Sequence, residues 1–232
     1  MSTRTSPTSG QRFPPPPTGK GGKKGRKPVA PVRVGKDRNW GPIILFVVVG
    51  LFAVGIIGFA AWSVVSQDSR EWHEQAADIE GIVNYRETQP EILTSEHESG
   101  PLTYTVSPPV GGNHNGTWQN CQGNVYPEPI PSEHAVHSME HGAVWVTYDA
   151  ALPADQVEQL ASRVRGTDYA LMSPYEGLDA PISLQAWGYQ LKVDNASDER
   201  IDEFIRLLRV NAGIETATCG NGLTVTGTVP VG

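Results

Sequence analysis

Large apolar residues are almost absent from residues 1–39, charge is absent from Gly41 to Val65, and cysteine occurs only at Cys121 and Cys219. Each absence excludes something. A segment of Pro, Gly, Ser, Thr, Lys and Arg, with the four-proline run Pro14 to Pro17, cannot bury enough apolar surface to offset the entropy of ordering. Residues 1–40 are therefore expected to be a disordered tail. An uncharged run with no polar face is not a surface amphipathic helix. No Gly-x-Ser-x-Gly elbow surrounds any serine, which excludes that nucleophile geometry. No internal repeat is present. Two cysteines leave two readings, one disulfide or two separate thiols with one as a metal ligand.

What is present divides sharply by charge. Residues 1–40 carry ten Lys/Arg against the single acid Asp37, a net +9, and the rest of the chain carries −16, which gives −7 for the whole. The boundary is the 23-residue run IILFVVVGLFAVGIIGFAAWSVV, long enough to cross about 30 Å of hydrocarbon as a helix. Trp40 before it and Trp62 near its end take interfacial positions, with Lys36 and Arg38 just before it. The excess of positive charge on the N-terminal side predicts a cytoplasmic N-terminus and an exported C-terminal part in the plasma membrane. Ala61-Trp62-Ser63 loosely resembles a signal cleavage site, but the run exceeds a signal core of about 7–15 residues, so residues 41–65 are read as an uncleaved transmembrane anchor. An exported location permits a disulfide, and pairing of Cys121 with Cys219 is expected on that ground. The basic cluster Lys20, Lys23, Lys24, Arg26 and Lys27 suits anionic lipid headgroups. It lacks interleaved aromatics or a folded module, so no nucleic-acid partner is expected.

After the anchor, residues 66–100 read as an acidic juxtamembrane stalk, with Glu96, His97 and Glu98 as solvated polar surface. Residues 101–232 read as an extracytoplasmic domain. Thr103 to Val106 alternates as a strand does. Ser107 to Pro131 reads as a long, ordered, irregular loop. Ala143–Tyr148 reads as a buried strand, and Ala154–Arg165 as a helix with Val157, Leu160, Ala161 and Val164 at helical spacing. Tyr169–Met172 is a short strand, and the run from Pro181 to Val193 gives one strand or two, with Gly188 as a bulge or bend. Ser197 is placed as the cap of a second helix over Asp198–Val210. This order predicts an α+β fold, a small mixed sheet with two helices on one face.

Chemistry concentrates in Glu133-His134-Ala135-Val136-His137-Ser138-Met139-Glu140-His141-Gly142. Five of the six histidines fall between His97 and His141. His137 to His141 matches H-x-x-E-H, a zinc peptidase pattern in which the two histidines bind metal and the glutamate activates water. On a helix, His137 and His141 share one face, while Glu140 points about 100° away from His141. A third ligand is needed, from His114 or a later carboxylate such as Glu176. Against a peptidase stand the shortness of the helix between Pro131 and Gly142, the strand that follows at once, and the small size of the domain. Imidazole suits zinc and copper alike, and a methionine thioether biases toward cuprous copper, but helical spacing turns Met139 away from the histidine face.

Pro108-Pro109-Val110-Gly111-Gly112-Asn113-His114, then Gly123-Asn124-Val125-Tyr126, then Val136-His137-Ser138-Met139-Glu140-His141-Gly142-Ala143-Val144-Trp145-Val146-Thr147-Tyr148, then Ala186-Trp187-Gly188 resembles the DUF3105 family of bacterial, largely actinobacterial, membrane-anchored proteins. The likeness covers roughly residues 85–210. The family is one of unknown function. The resemblance implies a cell-envelope protein with one N-terminal anchor, with motif positions at His114, His137, Glu140, His141 and Gly142. His134 lies outside the tightest part of the pattern, and Val110 departs from the small polar residue common there.

The leading expectation is a single-pass envelope protein whose domain binds a transition metal, copper or zinc, through His114, His137 and His141. Glu140 would be a fourth ligand or would fix a ring tautomer. No organic cofactor is expected. The alternatives are a zinc-dependent hydrolase with Glu140 as base, and a metal-free domain that docks to another envelope protein.

Overall fold

In the computed structural model, residues 35, 39–65 and 71–231 are described, with side chains of 60–65 left aside. The expected disordered tail lies outside these residues, apart from Gly35, Asn39 and Trp40, and so does the start of the expected stalk. The chain forms two units, Met1–Ser66 and Gln67–Gly232. The first contains α1 (Trp40–Val65), of which Trp40–Phe59 is long and apolar enough to cross a membrane.

The second unit begins earlier than expected. In the segment read as a stalk, α2 (Trp72–Ala77), the two-residue strand β1 (Val83–Asn84) and α3 (Tyr85–Thr88) all join the fold. Ala76 and Ile79 are buried in the main core, which is why this stretch is held. Its acidic composition suggested a solvated spacer, but these few apolar residues suffice to dock it. Arg86 fixes it further by donating to the Trp187 carbonyl at 2.9 Å and to the Ala212 carbonyl.

The sheet is completed by β2 (Gln122–Val125), β3 (Val144–Tyr148), β4 (Ala170–Pro174), β5 (Ile182–Ala186) and β6 (Tyr189–Val193), in the order β1-β6-β5-β3-β4-β2. The β2–β4 and β3–β4 pairs are parallel, and the other pairs are antiparallel. Gly188, at φ +77°, makes the tight turn that splits the Pro181–Val193 run into β5 and β6.

Between β3 and β4 runs α5 (Ala154–Val164), and α6 (Arg200–Leu208) follows β6. Strand alternation sorts the core into two faces. Val144, Val146 and Met172 meet Leu160, Val164, Phe204 and Leu208 of α5 and α6. Trp145 and Leu171 meet Ala135, Val136 and Met139 of the remaining helix, α4 (Ser132–Glu140). α5 and α6 thus cover one face, as expected, with α2 joining the same core, and α4 covers the other. Each fully buried Leu, Met or Phe contributes about 1.5–3 kcal/mol relative to exposure.

Three local expectations are corrected. Thr103–Val106 is irregular. Leu102, Tyr104 and Val106 are half-buried at every second position, so the alternation is real, but they pack on loops. The Leu102 N–H donates to Glu133 Oε1 at 2.8 Å and the Tyr104 hydroxyl to the Asn113 carbonyl at 2.9 Å. The loop from Ser107 to Pro131 contains β2, whose Gly and Asn content hid a strand paired only on one side. Ser197 does not cap α6: its hydroxyl turns to Asn195, and Asp198 accepts from the Arg200 N–H at 3.0 Å instead.

Gly142 joins α4 to β3 at φ +100°, and a Cβ there would lie 2.9 Å from the Val210 Cα and carbonyl oxygen. Both the left-handed conformation and the backbone contact oppose a side chain. Gly142→Ala should therefore destabilise the folded unit by about 2 kcal/mol or more, read as a lower denaturation midpoint.

Candidate metal centre

Every residue of α4 from Glu133 to Glu140 is buried. One side of the helix carries Ala135, Val136 and Met139 into the core. The other carries glutamates, histidines and Ser138, whose polar atoms must find partners once water is removed. Ser138 donates to the Gln119 carbonyl at 2.6 Å. His134 is satisfied at both nitrogens: Nδ1 donates to the Thr117 carbonyl at 2.6 Å, and Nε2 accepts from the Val231 N–H at 3.0 Å. It is a structural tie.

The other rings differ. His114 Nδ1 meets the Gly112 carbonyl at 2.8 Å, His137 Nδ1 the Asn115 carbonyl at 2.7 Å, and His141 Nδ1 the Thr218 carbonyl at 3.1 Å. A carbonyl oxygen only accepts, so each Nδ1 carries a proton, and each neutral ring has its lone pair on Nε2. Those Nε2 atoms do not face donors. His137 Nε2 and His141 Nε2 are 3.0 Å apart, and His114 Nε2 is 3.0 Å from Glu140 Oε2. Electron-rich atoms at these distances in a buried site repel unless a proton or a metal cation lies between them. Between His137 and His141, burial makes a proton the poorer choice at neutral pH. It outweighs the hydrogen bond to Asn115 and pushes His137 down to about 4, and it also lowers His141 despite Glu215 nearby.

His97 completes the group. Its Nε2 is 3.8 Å from Glu140 Oε2, and its ring stacks on His137 with centroids 4.9 Å apart. It is half exposed, in keeping with the expected solvated surface, but the backbone brings its ring to the group: the Glu98 N–H donates to the His114 carbonyl at 2.8 Å, and the His114 N–H to the Glu96 carbonyl at 3.1 Å. The only sequence signal was its place in the run of five histidines.

Donor atoms of His97, His114, His137 and Glu140 all lie within 4.8 Å of one another. A second set, His137, His141 and Glu215, meets the same limit. Of the residues predicted from sequence, His114, His137 and Glu140 come together, whereas His141 groups with Glu215 instead of with His114. Glu176 is exposed and belongs to neither set. Met139 is fully buried in the apolar cluster with Trp145. Glu215 could not be anticipated, because it lies 74 positions beyond His141 in a Gly- and Thr-rich tail.

That tail is tied down. Cys121 and Cys219 form a disulfide, so neither thiol is a ligand. The N–H groups of Ile214 and Glu215 donate to the Glu140 carbonyl at 3.0 and 3.1 Å. A cavity of about 330 Å³ borders the segments that precede His114 and follow His97, lined in part by Glu98, Tyr104, Gly112 and Asn113.

The family model described as a protein of unknown function (DUF3105) matches residues 96–221, and the chain belongs to that family. The match spans every residue of both donor sets. Neither a curated protein nor a solved structure matches the chain.

The lowered His137 value sets a pH dependence for the metal-free protein. Between the ordinary value near 6.5 and about 4, the unfolded chain binds a proton that the folded chain does not. Stability is therefore full above about pH 6.5 and falls toward pH 4, by on the order of 3 kcal/mol from this group. Denaturation midpoints across this range, after chelator treatment, should show the fall, and His137→Gln should flatten it.

Proposed function

We propose that this member of the DUF3105 family is a cell-envelope protein, held by one transmembrane helix, whose folded unit binds a divalent transition metal through His97, His114, His137 and Glu140. The observation that carries the reading is the orientation of the rings. Nδ1–H groups held by backbone carbonyls leave the His114 Nε2 lone pair turned toward the buried Glu140 carboxylate and that of His137 turned toward His141 Nε2. This is the arrangement that presents neutral imidazole to a metal, with the outer hydrogen bond fixing tautomer and ring angle. Two donors about 2.1 Å from one ion can be at most about 4.2 Å apart, which the 3.0 Å and 3.8 Å contacts satisfy.

Imidazole and carboxylate without thiolate or thioether suit zinc or cupric copper better than cuprous copper. Glu140 Oε2 lies 3.0 Å from His114 Nε2, which supports a role as ligand over water activation. The envelope location rests on the basic head before the apolar run and on the buried disulfide, which suits an oxidising compartment. The folded unit is then extracytoplasmic.

The full-length protein, purified in detergent and stripped by chelator, should bind Zn²⁺ or Cu²⁺ more tightly than micromolar in a calorimetric titration. His114→Ala and Glu140→Gln should each weaken binding by about 10–100-fold or more. An unchanged affinity in Glu140→Gln would return that residue to the role of base. No binding at micromolar metal would sink the reading.

A further inference from the structure

The two donor sets share one residue, His137. With its Nδ1–H given to the Asn115 carbonyl, a neutral His137 has one lone pair, on Nε2, and serves one ion at a time. Without it, the inner set still offers His97, His114 and Glu140. With it, the outer set offers His137, His141 and Glu215. Three protein donors are enough for an ion that keeps a fourth position open.

The closest contacts divide the same way. His114 Nε2 lies against Glu140 Oε2 at 3.0 Å, and His137 Nε2 against His141 Nε2 at 3.0 Å. A cation in the inner set relieves the first contact but takes no lone pair from His141, because His141 belongs to the outer set alone. Glu215 Oε2 stands 3.6 Å from His141 Nε2 and brings negative charge to that side. The outer set is also built. His141 is oriented by the Thr218 carbonyl, Glu215 is held through its N–H to the Glu140 carbonyl, and the next residue after Thr218 is the disulfide-bonded Cys219.

We infer that the folded unit holds two divalent ions side by side, the second on His137, His141 and Glu215. The inference rests on the metal reading above and extends it from one ion to a binuclear centre. The inner ion binds first, on His97, His114, His137 and Glu140. The outer ion binds more weakly, because it joins an existing positive charge; exposure does not separate the sets, since His97 is 52% and Glu215 53% exposed. His137 passes to the outer ion when the second binds. No electron or covalent bond to carbon is involved, only exchange of one imidazole between metals.

The test uses the full-length protein in detergent, stripped and then dialysed against Zn²⁺. Two ions per chain are expected. Glu215→Ala, at a half-exposed side chain, should bind one ion, with the first Kd within about threefold of wild type, since a ligand to the first ion would cost more. With Cu²⁺, the second equivalent should broaden or quench the electron paramagnetic resonance signal of the first. One ion in the wild type overturns this inference and leaves the metal centre standing, whereas no ion overturns both. Two ions retained undiminished in both Glu215→Ala and His141→Gln, or two simply additive copper signals, overturn the assignment of a shared centre.

Discussion

With eight consecutive residues of α4 buried, the polar half of this helix has no water to turn to, and the surrounding chain is arranged to answer it. Three loop carbonyls, from Gly112, Asn115 and Thr218, take the Nδ1 protons of His114, His137 and His141. These bonds do two things at once. They satisfy buried donors, and they fix which nitrogen of each ring keeps its lone pair. The site's chemistry is thus set by backbone geometry as much as by the histidines themselves.

The loops carry this burden because they are pinned from several sides. His134 ties the Thr117 carbonyl to the Val231 N–H, so one ring of α4 joins an early loop to the end of the described chain. The disulfide joins the start of β2 to the tail that supplies Thr218 and Glu215. Gly142 lets α4 stop and β3 start within three residues, close against Val210. The sheet supplies a flat apolar support through Trp145 and Leu171, and α4 presses its small and flexible residues, Ala135 and Met139, onto it. A short helix on such a support has fewer ways to shift than a loop, which suits donors that must stay within a few tenths of an ångström.

Much of the fold was legible in the sequence because it follows from local periodicity. The continuous apolar run of Ala143–Tyr148 specifies a strand buried on both faces, the helical spacing of Val157, Leu160, Ala161 and Val164 specifies one buried helix face, and the structure supplies both. What misled was alternation without a partner strand, as at Thr103–Val106, and a strand without alternation, as at β2. Edge pairing on one side demands little of the sequence, so Gly123 and Asn124 could sit in a strand. The acidic segment after the anchor was misread for a related reason. Docking there needs only a few contacts, and composition averages them away.

The candidate site shows the same division. The sequence by itself determined that His137 and His141 would meet, since residues four apart on one helix turn must be neighbours, and their Nε2 atoms are 3.0 Å apart. It also determined an apolar segment long enough to span a membrane, because that depends only on run length and the absence of charge. The tertiary structure alone decided which other donors join them. His97 reaches the site through a backbone bridge to His114, and Glu215 through a tail fastened by a disulfide and by the Glu140 carbonyl. Neither separation has a period that a sequence pattern can express. Contacts between segments far apart in the chain are fixed by packing and loop closure, and those exist only once the chain has folded.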